Sequence, residues 1–360
     1  MNPSNTTFSC NAFGPTGSGG ESLIPSLIAR CAQLAMLLEV SASPKPGNVD
    51  REHNYPDTCF EHFVASSVAV YPVLELAARS TEKIGSLLRN AVYESSAWQR
   101  GGNTHFGAFL LLIPLAMAAG EFSRDQQEQR QQKEQTCCEK VGFRLEAGDF
   151  EGLVSRAYAF VRATDCEDAV EFYRAFGHVG VRVNSVDEFD LKDPESTADL
   201  RSQDITLYAL MEIARDYDLI ANEWTTGFVR CLEGAKSILE FMQARNCEAE
   251  ALTGGSVPTC SGTGINEAVV YTFLKLLSKH RDTFIQTKFD IETADYVSFR
   301  AGEILSGWET SGKTAQDFAS ILPQIQEFDS ELLVKKINPG STADIIIAGL
   351  FIALLGGLRF

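Results

Sequence analysis

Residues 23–38 read LIPSLIARCAQLAMLL. Leu23, Ile24, Leu27, Ile28, Cys31, Leu34, Ala35 and Leu38 recur at three- and four-residue steps, the period that lines side chains along one stripe of an α-helix. Ser22 can cap this helix, and Pro25 falls in its first turn, where a missing N–H costs nothing. Ser43-Pro44 and Pro46-Gly47 stop it. The same period returns downstream. Thr58-x-x-Glu61 is a capping box, and it opens a second helix through Phe60, Phe63, Val64, Ser67, Val68 and Tyr71 that Pro72 kinks or ends. Further helices are predicted over 84–98, 105–119, 149–176, 203–216, 225–245, 264–280, 290–306, 314–334 and 342–356. Val179–Val186 is the one weak candidate strand. The chain therefore reads as all-α: one multi-helix globular domain over 23–360, behind a flexible tail at 1–22. Residues 121–140, rich in Gln and Glu and without an apolar stripe, read as a polar surface insertion in the form of a loop or polar helix, and Glu250–Gly264 as a glycine-rich loop.

Composition narrows the function. The chain has 360 residues, 44% of them hydrophobic, enough for a substantial core. Lys plus Arg number 31 against 48 Asp plus Glu, a net charge of −17. So acidic a chain repels a nucleic-acid backbone unless its basic residues cluster, and they do not. A polyphosphorylated substrate would call for a divalent cation. The nine cysteines include no Cys-x-x-Cys pair, and adjacent Cys137-Cys138 suit a zinc ion poorly, so reduced thiols in a cytoplasm are expected. Met1–Glu21 has neither Lys nor Arg nor an apolar stretch and reads as a loose tail rather than a signal peptide. The uncharged run Ile345–Leu358 falls short of the ~20 residues that span a bilayer, so no membrane partner is expected.

Residues 307–314, GWETSGKT, match the phosphate-loop pattern G-x4-G-K-T around Lys313. That chemistry needs a buried strand in front of the loop, and residues 294–306 read as a helix; a turn capped by Thr314 accounts for the match. Three other segments are polar, contain glycine and abut strongly apolar helices. They are EVSASPKPGNVDR at 39–51, GGNTHFG at 101–107 and NPGSTAD at 338–344. The prolines and Gly47 fix a turn that presents Lys45, Asp50 and Arg51. The glycines at 101 and 102 open a helix whose free amides suit an anion. Asp344 stands at the mouth of an uncharged helix, as a cap or a site group. Together the three point to a shared site.

In this order, S-x-S-P-K-P-G-x-V-D-R, G-x-N-T-H-x-G and N-P-G-x-x-A-D resemble the triphosphoribosyl-dephospho-CoA synthase family. Phe60–Ser66 after Asp57, and Arg281-Asp282-Thr283 after a long apolar helix, resemble it too. The resemblance runs from about residue 30 to the C-terminus, apart from 121–140 and much of 178–200. Phe106 replaces the usual Lys, and Glu52–Asp57 is shorter than the usual Asn-x-Gly-x-His-x-Asp, which looks more like the archaeal branch. The resemblance implies an all-helical transferase that moves the 5-triphosphoribosyl group of ATP to the ribose 2′-hydroxyl of 3′-dephospho-CoA, or a related acceptor, with release of adenine.

Displacement at an anomeric carbon needs a base for the hydroxyl and an acid for the leaving nitrogen. On this reading Asp50, His105 and Asp344 are the catalytic candidates, Asp50 as base or Mg2+ ligand and His105 to protonate adenine or bind phosphate. Lys45 and Arg51 would meet the triphosphate, with Asn103, Thr104 and Asn338 as further substrate contacts. Asp50, Asp57 and Asp282 are the candidate Mg2+ ligands, Asp282 equally a helix cap, and Glu39 is a structural partner for Lys45. The expected partners are ATP and a dephospho-CoA-like acceptor, with a homodimer allowed. Two other readings are a phosphate-loop ATP hydrolase using Gly307–Thr314 and a non-catalytic nucleotide-binding protein.

Overall fold

Every described element is a helix. The computed structural model describes residues 23–102, 104–133, 145–179, 196–253, 264–310 and 314–360. Asn103, Cys137, Cys138, Lys313 and the strand candidate beyond Val179 lie outside them. The helices are α1 Ile24–Ser41, α2 Phe60–Ala69, α3 Tyr71–Arg79, α4 Ile84–Trp98, α5 Phe106–Lys133, α6 Phe150–Arg162, α7 Cys166–Val179 and α8 Ser196–Ser202. They continue as α9 Leu207–Ala214, α10 Leu219–Thr226, α11 Val229–Thr253, α12 Ile265–Lys279, α13 Thr283–Lys288, α14 Ile291–Thr310, α15 Leu322–Lys335 and α16 Gly340–Leu355.

The uncharged run at the C-terminus decides the centre of the fold. A helix apolar on every side is stable only when surrounded, and Ile345 through Leu355 of α16 are all buried. Helices α1, α5, α11 and α12 pack around it. Helices α3 and α6 cover the far sides of α5, α14 backs α12, and α4 pairs with α7. Two helices, α1 and α5, are long and apolar enough to cross a membrane by length and composition, but 83% of the apolar window of α5 is buried inside the protein. Cys31, Cys59, Cys166 and Cys231 are free thiols.

Pro114 lies inside α5. It lacks the N–H that would reach the carbonyl of Leu110, four residues earlier. The indole of Trp224, fully buried, donates to that carbonyl at 2.9 Å. A break in one helix thus anchors α10, which carries part of the cavity described below.

Several boundaries differ from the periodicity. The stretch 149–176 is two helices, because Asp165 accepts from the amides of Glu167 and Asp168 and starts α7 anew. The helix expected at 225–245 is preceded by α10 and a bend at Gly227, where φ is 78°. The N-terminal half of 314–334 is a 3-10 turn, Ala315–Ile321, before α15. Residues 121–133 continue α5, and Glu121 and Asp125 pair with Arg156 of α6, so this half of the expected insertion packs on the body of the domain. The phosphate-loop reading fails on its own requirement: α14 runs through Gly307 to Thr310 in place of a strand, and Thr314 opens the 3-10 turn through a capping box with Asp317.

Candidate active site

The three motifs meet at a cavity of about 720 Å³. The first reaches it from the loop after α1, the second from the N-terminus of α5 and the third from the N-terminus of α16. Helices α7, α9, α10 and α13 complete the wall. Asp57, Thr104, His105, Asn338 and Asp344 line it, as do Glu39, Asn48 and Asp218.

The first loop is bound together from within. Lys45 is fully buried and its ammonium pairs with Glu39, 2% exposed. Asp50, also buried, accepts from the amides of Glu52 at 2.8 Å and His53 at 2.9 Å and from the Lys45 amide at 3.4 Å. Its lone pairs serve its own loop, and Asp50 does not line the cavity. Arg51 donates to the side-chain Oδ1 of Asn266 at 3.1 Å, the atom that also accepts from the Ser43 amide; it too stands outside the lining. Asp329 of α15 accepts from the Gly47 amide at 2.8 Å, and the Tyr55 hydroxyl donates to the Gly47 carbonyl at 2.6 Å. Gly47 has a φ of 72°, and a Cβ there would overlap the Ile337 carbonyl, so the turn admits no side chain.

Asn48 ties the first motif to the third, donating to the Asn338 side chain at 3.2 Å and the Pro339 carbonyl at 3.4 Å. Asp282 fixes two helix starts at once. Its Oδ1 accepts from the amides of Phe284 and Ile285, and its Oδ2 from the amide and the hydroxyl of Thr342, both at 2.7 Å. This carboxyl is a double cap behind the cavity wall. Among the described residues, no three His, Cys, Asp or Glu side chains converge to hold a metal. Asp50 and Asp282 are taken up by their own loop and helix starts and do not line the cavity, whereas Asp57 does, so the three do not form one site.

Four carboxyls, Glu39, Asp57, Asp218 and Asp344, line the cavity, and Lys45 pairs with Glu39. Burial pushes Asp344 well above the usual carboxylate range, and the nearby Glu39 adds to the rise; the Ala108 amide at the start of α5 opposes it. Burial raises Glu39 as well, against the pull of Lys45. Asp218 caps α10 by accepting from the amides of Ile220 and Ala221 through Oδ1. Asp218 is exposed, and desolvation by the protein around it raises its carboxyl. A like charge nearby favours the protonated form of a carboxyl, and Glu39 stands in that relation to Asp344. Gly107 makes room for it, since a Cβ at 107 would overlap Asp344 Oδ2.

His105 is 1% exposed, and burial, with Lys45 adding to it, pushes its imidazole down to about 3. The ring is neutral at physiological pH. The motifs do not mark Asp218 at all: a helix cap before Leu219 is a sufficient reading of it in sequence. Phe63, within the Phe60–Ser66 stretch noted above, lines the cavity too, as do Tyr217 and Lys288, which no motif or predicted helix singles out.

Comparison with known proteins agrees with the architecture and the motifs. A solved structure from Archaeoglobus fulgidus, provisionally named a triphosphoribosyl-dephospho-CoA synthase, superposes with a TM-score of 0.55 at 27% identity, covering 82% of this chain and all of that one. Proteins from two strains of Vibrio cholerae, provisionally named 2-(5''-triphosphoribosyl)-3'-dephosphocoenzyme-A synthases, are 22% identical over 336 residues, covering 90% of this chain and 87% of theirs. The family model for ATP:dephospho-CoA triphosphoribosyl transferase (CitG) matches residues 25–359, from the first turn of α1 to the penultimate residue, and the chain belongs to that family.

Proposed function

We propose that the cavity under the three motifs is where this chain carries out its family's reaction, the transfer of the triphosphoribosyl group from ATP to dephospho-CoA. The observation that carries this reading is the pair of unequal carboxyls on one cavity. Burial and the nearby Glu39 push Asp344 well above the usual carboxylate range, whereas Asp218, an exposed carboxyl, caps α10 through Oδ1 and keeps Oδ2 outside that cap. Two carboxyls whose surroundings separate their protonation states suit an acid and a base. The acceptor's 2′-hydroxyl attacks C1′ of the ATP ribose and gives its proton to Asp218. The C1′–N9 bond breaks, its electron pair leaves with adenine, and Asp344 supplies the proton adenine keeps. Here Asp218 takes the role that sequence gave to Asp50, whose lone pairs hold the loop.

The Glu39–Lys45 pair braces the first motif from within, and the Asn48–Asn338 bond keeps it in register with the third. Mg2+ enters as part of the substrate, bound to the phosphates of ATP, and relieves their repulsion by an acidic chain. The apolar side of the cavity, from Phe172 and Phe176 to Tyr217, suits the uncharged arm of the acceptor. A cytoplasmic location accords with the free thiols.

The pH profile of turnover tests the assignment. The rate should rise as Asp218 loses its proton and fall as Asp344 loses its own. Asp344→Asn should lower kcat by about 10²–10⁴ and remove the alkaline limb; Asp218→Asn should lower kcat and remove the acid limb. An Asp344→Asn protein that is folded and fully active would overturn the assignment.

A further inference from the structure

The second motif holds one polar atom whose purpose the fold does not supply. His105 Nδ1 lies 2.9 Å from Ser66 Oγ, whereas the buried Nε2 has no partner. The serine settles which nitrogen carries the proton. Ser66 is fully buried and accepts from Ser95 Oγ at 2.8 Å, and Ser95 Oγ is 3.5 Å from Thr104 Oγ1. A buried hydroxyl proton needs an acceptor, and Nδ1 is the one that Ser66 reaches among these described bonds. Nδ1 therefore accepts, and the hydrogen is on Nε2. The ring is clamped in that orientation, with the Phe63 ring edge-on at 4.9 Å between centroids and Phe109 at 6.1 Å. His105 and Phe63 both line the cavity.

We propose that the Nε2–H of neutral His105 donates a hydrogen bond to a ring nitrogen of the departing adenine, with Ser66, backed by Ser95, as the positioning residue that fixes the tautomer. The inference rests on the triphosphoribosyl-transfer reading. When C1′–N9 breaks, the bonding pair spreads into the purine and charge builds on N3 and N7. A fixed donor aimed at that charge stabilises the transition state without giving up its proton. The proton that adenine keeps still comes from Asp344, so the step balances with His105 unchanged. Aromatic walls suit a flat base better than a triphosphate, and a ring that burial keeps neutral offers a phosphate no charge.

The test compares His105→Gln with His105→Leu, using ATP, 3-deaza-ATP and 7-deaza-ATP, and reads the tautomer of His105 in the native protein by 15N NMR. A Gln amide places an N–H near the position of Nε2, so His105→Gln should keep kcat within about tenfold of native, while His105→Leu should lose about 10²–10³. One deaza analogue should slow the native enzyme by a similar factor and His105→Leu hardly at all. The spectrum should show a neutral ring protonated on Nε2, and Ser66→Ala should shift it towards a tautomer mixture and lower kcat. Gln and Leu variants equally inactive though folded, deaza penalties equal in native and Leu proteins, or a native ring protonated on Nδ1 would each overturn the inference. The NMR measurement needs no variant. If the native protein released no adenine from ATP, the transfer reading itself would fail, and with it the inference that rests on it.

Discussion

Gly107 and Asp344 share one corner of the cavity, and only the absence of a side chain at 107 lets the carboxyl sit there. Gly107→Ala should therefore push Asp344 off the reacting geometry and lower kcat by about 10²-fold, with a far smaller effect on the urea midpoint. Near-native activity in that variant would show that the carboxyl has room to move. His105 gives a second expectation, on stability. Its folded value of about 3 lies below the ordinary value of 6.5. Between those values the unfolded chain binds the extra proton, so the stabilising contribution is complete above pH 6.5 and is lost as pH falls. From pH 7 to 5 the native protein should lose roughly 2 kcal/mol that His105→Gln does not lose. Urea titrations of both proteins at the two pH values check this. At this scale the sequence was half legible. Asp57, Thr104, His105, Asn338 and Asp344 do line the cavity, while Lys45, Asp50, Arg51 and Asp282 stand outside its lining. A motif carboxylate that holds its own loop and one that faces substrate look alike in a string of letters. Only the count of hydrogen bonds they accept separates them.

Helix periodicity located the longer helices, because an apolar stripe is a local property, and passed over the short α3, α8, α10 and α13. It missed the places where one helix ends and the next begins in phase. The break at Asp165 is invisible for that reason: Val161 before it and Ala169 after it are both buried, so the stripe continues across a capped gap. The continuation of α5 past residue 119 was hidden for the opposite reason. Its outer turns are mostly polar and are held by the ion pairs of Arg156 and by Phe122 beneath that guanidinium. The Pro114–Trp224 contact belongs to this scale, because it joins α5 to the helix that carries Asp218. Trp224→Phe removes the indole donor and leaves the Leu110 carbonyl buried without a partner, at a cost of about 1–3 kcal/mol. Chemical denaturation should show that loss, and kcat should fall as well because α10 shifts. An unchanged midpoint would mean that the carbonyl finds another donor.

For the whole molecule, the proposed reaction asks a chain of net charge −17 to admit a polyanionic substrate into a cleft lined by carboxyls. On that proposal the countercharge travels with ATP as Mg2+ bound to its phosphates. The Mg2+ concentration giving half-maximal rate should therefore rise in step with the ATP concentration. A fixed requirement, independent of ATP, would point to a metal site on the protein. The all-helical architecture, with α16 at its centre and three distant motifs brought to one cavity, agrees with the family to which the chain belongs. The most direct test of the account is the identity of the released product. When the native protein is incubated with Mg-ATP and dephospho-CoA and the mixture is separated by chromatography, adenine should appear one-to-one with loss of dephospho-CoA, and no ADP should form. ADP and phosphate in place of adenine would contradict it.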